Sequence, residues 1–489
     1  MENSDLQDWQ TVQAMFRRVW GYENFRPPQD QIVRSLLEHQ DALIIMPTGG
    51  GKSICFQLPA LLQSGLTLVI SPLIALMENQ VQELINYQLP AALIHSQLPA
   101  NHRQKILQKI TQNQLRLLYL SPETLLSANV WEVLCQPGVK INGLIVDEAH
   151  CLIQWGETFR PAYRRLGVVR STLKQTKPDH LPITVAAFTA TADPIAQSRI
   201  QQELKLENPV VYLLSPYRSN LDLSVQAVLT PRCRRDHLLK FIQRHPQESG
   251  LVYVRSRSDS HRLSLWLQTQ GFPSRAYHGG LSAEERRWIE QAWLTGTLPF
   301  VICTSAFGMG VNKSNVRWVV HYQAPLLLSE YIQEVGRGGR DGQPATALTL
   351  VSEPTGLLDP EDQQRRQVLT AQGRSQIQTA QQLLKKLPKT GNFSQLCRRF
   401  PNLEITLSLL QSAGHLQWQD PDHYQITRTS LSGLEDPNQG AIKAMLHYLQ
   451  LRGCRWQFLL DAFGFGTEAP RPGCGHCDNC RRRGVRKKT

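Results

Sequence analysis

A lysine and a serine stand directly behind three glycines in the run MPTGGGKS at 46–53. Glycines there let backbone amides approach phosphate oxygens without side-chain clash, and a helix starting at that point adds positive potential. Thr48, Gly49, Gly50 and Gly51 would supply the cradle, Lys52 would reach the β- and γ-phosphates, and the Ser53 hydroxyl would bind magnesium. ATP and Mg2+ are the cofactors this pattern calls for, although Met46 stands where the general phosphate-loop pattern has Gly. Two acids, Asp147 and Glu148, follow the strand-like run GLIVD. In an open α/β sheet the strand ends are where a ligand sits. Asp147 is expected to hold magnesium through its water shell, and Glu148 to accept a proton from the attacking water. In QEVGRGGRDG (333–342), Arg337 and Arg340 are expected on one helical face, where they can meet charge building on a γ-phosphate.

A second chemistry is written in PGCGHCDNC near the C-terminal end. Cys474, Cys477 and Cys480 at two-residue gaps are a strong zinc pattern, and a tetrahedral site needs a fourth ligand. Cys454, Cys397 and His476 are the candidates. Four protein ligands leave no open position for water, so Zn2+ would be structural. A third signal is the segment DEAHCLIQWGETFRPAY at 147–163, where Trp155, Phe159 and Tyr163 crowd next to the acid pair. Exposed rings stack on unpaired bases, and Arg160 could pair with a phosphate. The competing reading places the rings in the core, where aromatic side chains usually go.

These groups must be positioned by regular elements. Short apolar runs recur at 42–46, 66–71, 115–121, 143–147 and 183–189, and again at 250–256, 274–278, 299–305 and 316–322. Each is followed by a turn and a helix-like stretch, the pattern of parallel strands buried on both faces. Two successive α/β domains are expected, joined near residues 213–221. After Gly342 the texture changes to exposed helix over 356–392, and then to a helix, turn, helix, hairpin layout. There Ser394 and Asn402 serve as caps, and a turn at 420–422 joins the hairpin strands. This is the layout of a winged helix, with His423 or Tyr424 at the hairpin as a possible strand-separating wedge.

Bulk composition agrees. The 489-residue chain is 41% hydrophobic and 19% charged, as expected of a globular protein, and its net charge of +13 favours a polyanionic partner. The polar N-terminus is no signal peptide, and no apolar run is long enough to cross a bilayer. Ten cysteines without a secretion signal argue for reduced thiols or a metal. A cytoplasmic location and no membrane partner are expected.

Together, MPTGGGKS, DEAH, FTATAD (188–193) and QEVGRGGRDG resemble a superfamily 2 helicase motor. More narrowly, GYENFRPPQ, SPLIALMENQV, LLYLSPETLL, YHGGLSAEERR and TSAFGMGVNKSNVRWVVHY resemble the RecQ family of DNA helicases over residues 15–342. The resemblance implies two RecA-like domains (1–214 and 215–355) and a zinc module with a basic tail (441–489), and the element layout places a helical linker with the winged-helix-like module (356–440) between them. It implies that Tyr22, Arg26 and Gln29 read adenine, that Gly308, Gly310 and Asn312 serve a nucleotide-linked hinge, and that the aromatic run senses single-stranded DNA. The family's CRxxxLL pattern favours Cys454 as fourth zinc ligand, with His476 pointing away. It further implies 3′ to 5′ unwinding of duplex DNA in recombination and repair. The chain departs from the family at Ser219, Val335 and Gly338. It also places its wing-like segment before the zinc ligands and ends nine residues after Cys480, resembling a short bacterial form without the final helical DNA-binding domain. An RNA-directed motor and a DNA-binding scaffold without hydrolysis are the rival readings.

Overall fold

The computed structural model describes residues 9–153, 160–177, 182–307, 311, 313–428 and 439–485. Trp155, Phe159, Gly308, Gly310 and Asn312 lie outside the described residues. The chain divides into two units, one of Met1–Met46, Gly50–Leu214 and Gln372–Pro437, the other of Pro47–Gly49, Ser215–Ala371 and Asn438–Thr489.

The first unit is built on seven parallel strands: β1 (Ala42–Ile45), β2 (Leu66–Ile70), β3 (Ala91–Ile94), β4 (Leu117–Leu120), β5 (Ile141–Val146), β6 (Thr184–Thr189) and β7 (Val210–Leu213). Their spatial order is β3-β4-β2-β5-β6-β1-β7. Alternate residues of one strand enter different cores. Leu43 and Ile45 pack in one cluster, and Ile44 and Met46 in another. That is why the sequence shows unbroken apolar runs rather than alternation. It also explains the departure at Met46, which is buried in the core as the last apolar residue before the loop.

The second unit repeats the plan with β8 (Leu221–Val228), β9 (Ser249–Tyr253), β10 (Ala276–Tyr277), β11 (Phe300–Cys303), β12 (Val316–His321) and β13 (Ala345–Ser352), in the order β10-β11-β9-β12-β13-β8. The four strands β3, β7, β8 and β13 are not marked by the apolar runs. All four are mixed in exposure along their length, and β8 and β13 also contain polar residues.

Residues after β13 are divided between the units. A long helix, Glu361–Leu384, starts in the second unit and ends in the first. The small antiparallel sheet of β14 (Thr390–Asn392), β15 (Leu416–Trp418) and β16 (His423–Ile426) carries two short helices, Phe393–Cys397 and Leu403–Ser412. This matches the helix, turn, helix, hairpin layout, but neither expected cap acts through its side chain: Asn402 holds the N-cap position of the second helix at φ +62° with no side-chain capping bond. Asn392, not Ser394, caps the first helix by accepting from Gln395 N, while Ser394 Oγ donates to Asp422 at 2.6 Å. The zinc-cysteine segment returns to the second unit, where β8 is an edge strand. Asp478 accepts from Val225 N at 3.0 Å and Trp456 Nε1 donates to the Leu221 carbonyl at 3.1 Å, so that edge is covered rather than left open for pairing.

Candidate active site and metal centre

The phosphate loop leaves β1, and helix Lys52–Leu62 follows it. Gly51 starts that helix at φ +79° with no side-chain cap, so the first-turn amides have no capping side chain in front of them. A Cβ on Gly51 would lie 2.2 Å from Gln29 Nε2, a second reason for glycine there. Gln29 is buried and fully engaged: its Oε1 accepts from Arg26 N at 2.9 Å, and its Nε2 donates to the carbonyl of Gly50 at 3.1 Å. It therefore sets the shape of the loop as well as standing beside it. Tyr22, 51% exposed, and Arg26, also exposed, are open to a ligand. Gly49 has φ +86°, which a side chain would strain. Thr48 is half-buried beside it. Lys52 Nζ donates to the Met46 carbonyl at 3.1 Å, and Ser53 Oγ accepts from Gln80 Nε2 at 3.1 Å. Gln80 belongs to SPLIALMENQV, but its hold on Ser53 becomes visible only in three dimensions.

β5, β6 and β1 are neighbours, so Asp147, Thr189 and the phosphate loop leave three consecutive strand ends. Asp147 N donates to the Ile70 carbonyl, and Asp147 Oδ1 accepts from Glu148 N at 3.0 Å. Glu148 adopts φ +50°, a left-handed conformation uncommon outside glycine and a feature of functional turns. His150 Nδ1 lies 3.2 Å from Glu148 and 3.1 Å from Thr189 Oγ1, which ties the acid pair to FTATAD. Burial, then the neighbouring Glu148 carboxylate, push the Asp147 carboxyl up to about 7. Two buried carboxylates side by side, with Ser53 in the first turn of the helix that follows the next-but-one strand, form an oxygen donor set that suits Mg2+.

In the second unit the helix Leu328–Val335 stops before the arginines. Arg337 and Arg340 lie in the turn that follows, not on one helical face as the spacing suggests. The reason is the pair of close approaches at this turn. Gly339 N bonds to the Val316 carbonyl, and a Cβ on Gly339, at φ +59°, would sit 2.5 Å from Asn220 Nδ2. Burial, then the charge of Arg337, lower Arg340 to about 9. Arginine stays charged in a protein, so a buried Arg340 beside a like charge is an environment that an anion would stabilise.

The aromatic run divides. Arg160 pairs with Glu123 at 3.3 Å near the surface. Tyr163, expected to stack on DNA, is fully buried in the core, and its hydroxyl points at the Asp147 carbonyl at 3.5 Å. Its ring is a packing element because the chain turns inward at Pro161. Tyr424 is likewise buried, while His423 is exposed and bonded to Asp420. Of the two wedge candidates only His423 faces solvent.

Cys454, Cys474, Cys477 and Cys480 converge, all four buried and with their sulfurs within 4.8 Å of one another. Zn–S bonds of about 2.3 Å place tetrahedral sulfurs about 3.8 Å apart, and Cys474 Sγ stands 3.9 Å from Cys480 Sγ. Amides of Cys474, Cys477 and Cys480 donate to the sulfurs of Cys454, Cys474 and Cys477 at 3.2, 3.3 and 3.4 Å, which favours thiolates. The residues fit Zn2+. His476 turns away to Asp222 at 3.1 Å and Tyr217 at 3.3 Å, and Cys397 is exposed on the small module of the other unit.

Two parallel sheets carrying these groups define a class, the DEAD/DEAH box helicase over 26–198 with the helicase conserved C-terminal domain over 233–342. The RecQ zinc-binding model matches 428–481. The chain is 52% identical over 477 residues to the ATP-dependent DNA helicase RecQ of Synechocystis, covering 97% of this chain and 99% of that one. It is 32% identical to the probable ATP-dependent DNA helicase RecS of Bacillus subtilis (95% and 92% covered) and 37% identical to RecQ of Pasteurella multocida, where it spans 80% of this chain and 59% of that one. Among solved structures, yeast Dbp5 bound to RNA and ADP BeF3 has a TM-score of 0.56 at 17% identity, covering 70% of this chain and 87% of that one. Helicase Lhr of Mycobacterium smegmatis has 0.54 at 19%, covering 88% and 60%, and both likenesses concern the fold alone. The chain belongs to the RecQ family of helicases. Among the described residues no helix is long and apolar enough to cross a membrane.

Proposed function

We propose that this protein is an ATP- and Mg2+-dependent DNA helicase that moves 3′ to 5′ along single-stranded DNA and parts duplex DNA in recombination and repair, in the cytoplasm. The carrying observation is the 52% identity to a DNA helicase over almost the whole chain, with Lys52, Ser53, Asp147 and Glu148 standing at strand ends of one sheet. Lys52 binds phosphate, Ser53 and Asp147 hold magnesium, and Glu148 takes the proton from the attacking water. Arg337 and Arg340 supply positive charge to the γ-phosphate, and Gln29 with Tyr22 and Arg26 favours adenine. Trp155 and Phe159 offer stacking faces, each worth about 1–3 kcal/mol per base. Arg160 offers a phosphate contact. The four thiolates serve stability, since no ligand position is left for water.

The test is unwinding of a duplex tailed at either end, with Lys52→Ala as control, and ATPase measured with single-stranded DNA and with RNA. Unwinding only from a 3′ tail, with turnover raised by DNA and abolished in the control, is the expected outcome. Equal stimulation by RNA, or unwinding from the 5′ tail alone, overturns it.

A further inference from the structure

A winged helix that reads duplex DNA presents its second helix to the major groove. In this protein that helix, Leu403–Ser412, is sheathed. Leu403, Thr406, Leu407, Ser408, Leu409 and Leu410 are all buried. Its polar side meets the 3-10 segment Pro161–Val168, the stretch of chain that follows the aromatic run. Arg165 Nη1 donates to the Pro421 carbonyl at 3.1 Å, and its guanidinium lies 4.2 Å from the Phe393 ring centre. Gln411 Nε2 donates to the Arg164 carbonyl at 3.1 Å and also to the Glu203 carboxylate, which Arg164 itself engages at 2.5 Å. The remaining atom of that amide, Oε1, accepts from Trp418 Nε1 at 2.9 Å, which fixes its orientation.

Both partners of Gln411 lead to the acid pair. The 3-10 segment carries Tyr163, buried beneath the sheet with its hydroxyl at the Asp147 carbonyl. Glu203 sits at the far end of helix Pro194–Leu204, which begins directly behind FTATAD, whose Thr189 contacts His150 next to Glu148. The segment and this helix touch closely, since a Cβ on Gly167 would fall 2.0 Å from the Glu203 carbonyl oxygen. A 3-10 run of eight residues has poor internal hydrogen bonds, and such runs rarely pass three or four residues. Its geometry therefore depends on what holds it from outside.

We propose that the module of residues 390–426 is an internal brace for the hydrolysis site, and that Gln411, oriented by Trp418, is the positioning residue through which it acts. By gripping the chain that follows the aromatic run, the brace gives a DNA contact a stiff route to Asp147 and Glu148. Without it the contact is absorbed by the 3-10 segment. The proposal rests on the DNA-stimulated ATPase reading above.

The test uses the full chain. Gln411→Glu removes the donor to Arg164 and sets a carboxylate against Glu203. Its DNA-stimulated kcat is expected to fall about tenfold, the upper part of the range for coupling through contacts of this kind. DNA-free turnover and the KM for ATP should stay within about twofold of wild type, because the phosphate loop is untouched. The double variant Glu203→Gln with Gln411→Glu restores a donor and an acceptor and should regain most of the stimulation. Trp418→Phe keeps the packing but frees the amide, with a smaller loss in the same direction, and decides the matter if Gln411→Glu fails to fold. Stimulation equal to wild type overturns the brace, as does a fall in DNA-free and DNA-stimulated turnover by one common factor. Wild-type protein that DNA does not stimulate overturns the helicase reading and the brace with it.

Discussion

At the level of single residues, the arginine turn shows how much depends on one buried ion pair. Glu334, on the helix before Arg337, binds Arg255 through two bonds of 2.7 and 2.6 Å and lies 2.9 Å from His321. Burial opposes its charge, but Arg255 and then His321 outweigh that and hold the carboxyl down at about 2. A depressed folded-state value means that its share of stability is fully present above the ordinary glutamate value of about 4.3 and fades as pH falls towards 2. Glu334→Gln should destabilise the second unit by about 3 kcal/mol at neutral pH, since it leaves Arg255 buried without a charge partner. Denaturant titrations at pH 7 and pH 3 check this: the gap between the two proteins should narrow at the lower pH. The residue types at this turn are visible in the sequence, but their partners are distant in the chain. Gln29 makes the same point in the first unit. Gln29→Ala should raise the KM for ATP more than it lowers kcat, because it removes loop shape and adenine contact but no group at the γ-phosphate.

Among the elements, the zinc module is an integral part of the second unit and not an appendage. Its Asp478 receives Arg455 at 2.6 Å while also capping the amide of Val225 on the edge strand. Metal binding in such a site is folding free energy. Cys477→Ser is therefore expected to abolish stoichiometric zinc in metal analysis and to lower the melting temperature. DNA-free ATPase per folded molecule should persist. Retention of one equivalent of zinc would exclude Cys477 as a ligand. The two-residue cysteine gaps announce the metal, whereas the covering of β8 has no sequence signal, because one aspartate and one tryptophan among many carry it.

For the molecule as a whole, the proposed function assigns the +13 net charge and the rings of Trp155 and Phe159 to different parts of one polyanion. Backbone contacts release counterions, so the affinity for single-stranded DNA should fall steeply between about 50 and 200 mM salt. Replacing Trp155 and Phe159 together by Ala should leave nucleotide binding intact and remove stimulation by DNA. Anisotropy across salt, and turnover with and without oligonucleotide, measure the two effects separately. If the double variant is stimulated like wild type, the rings do not sense the strand.

The sequence by itself determined the chemistry: the glycines and lysine of the phosphate loop, the neighbouring acids, the cysteine gaps and the apolar runs of doubly buried strands. Each of these depends on residues close together in the chain, where type and spacing carry the physics. Only the tertiary structure decided that Tyr163 is core and that Arg337 and Arg340 sit in a turn. Tertiary structure also turned the second helix of the small module inward upon Arg164 and Arg165. Those outcomes depend on burial and on hydrogen bonds between residues hundreds of positions apart, as between Gln411 and Arg164. A local pattern holds no record of such pairs, because the same amide or ring serves equally well at a surface or in a core until the fold supplies its neighbour.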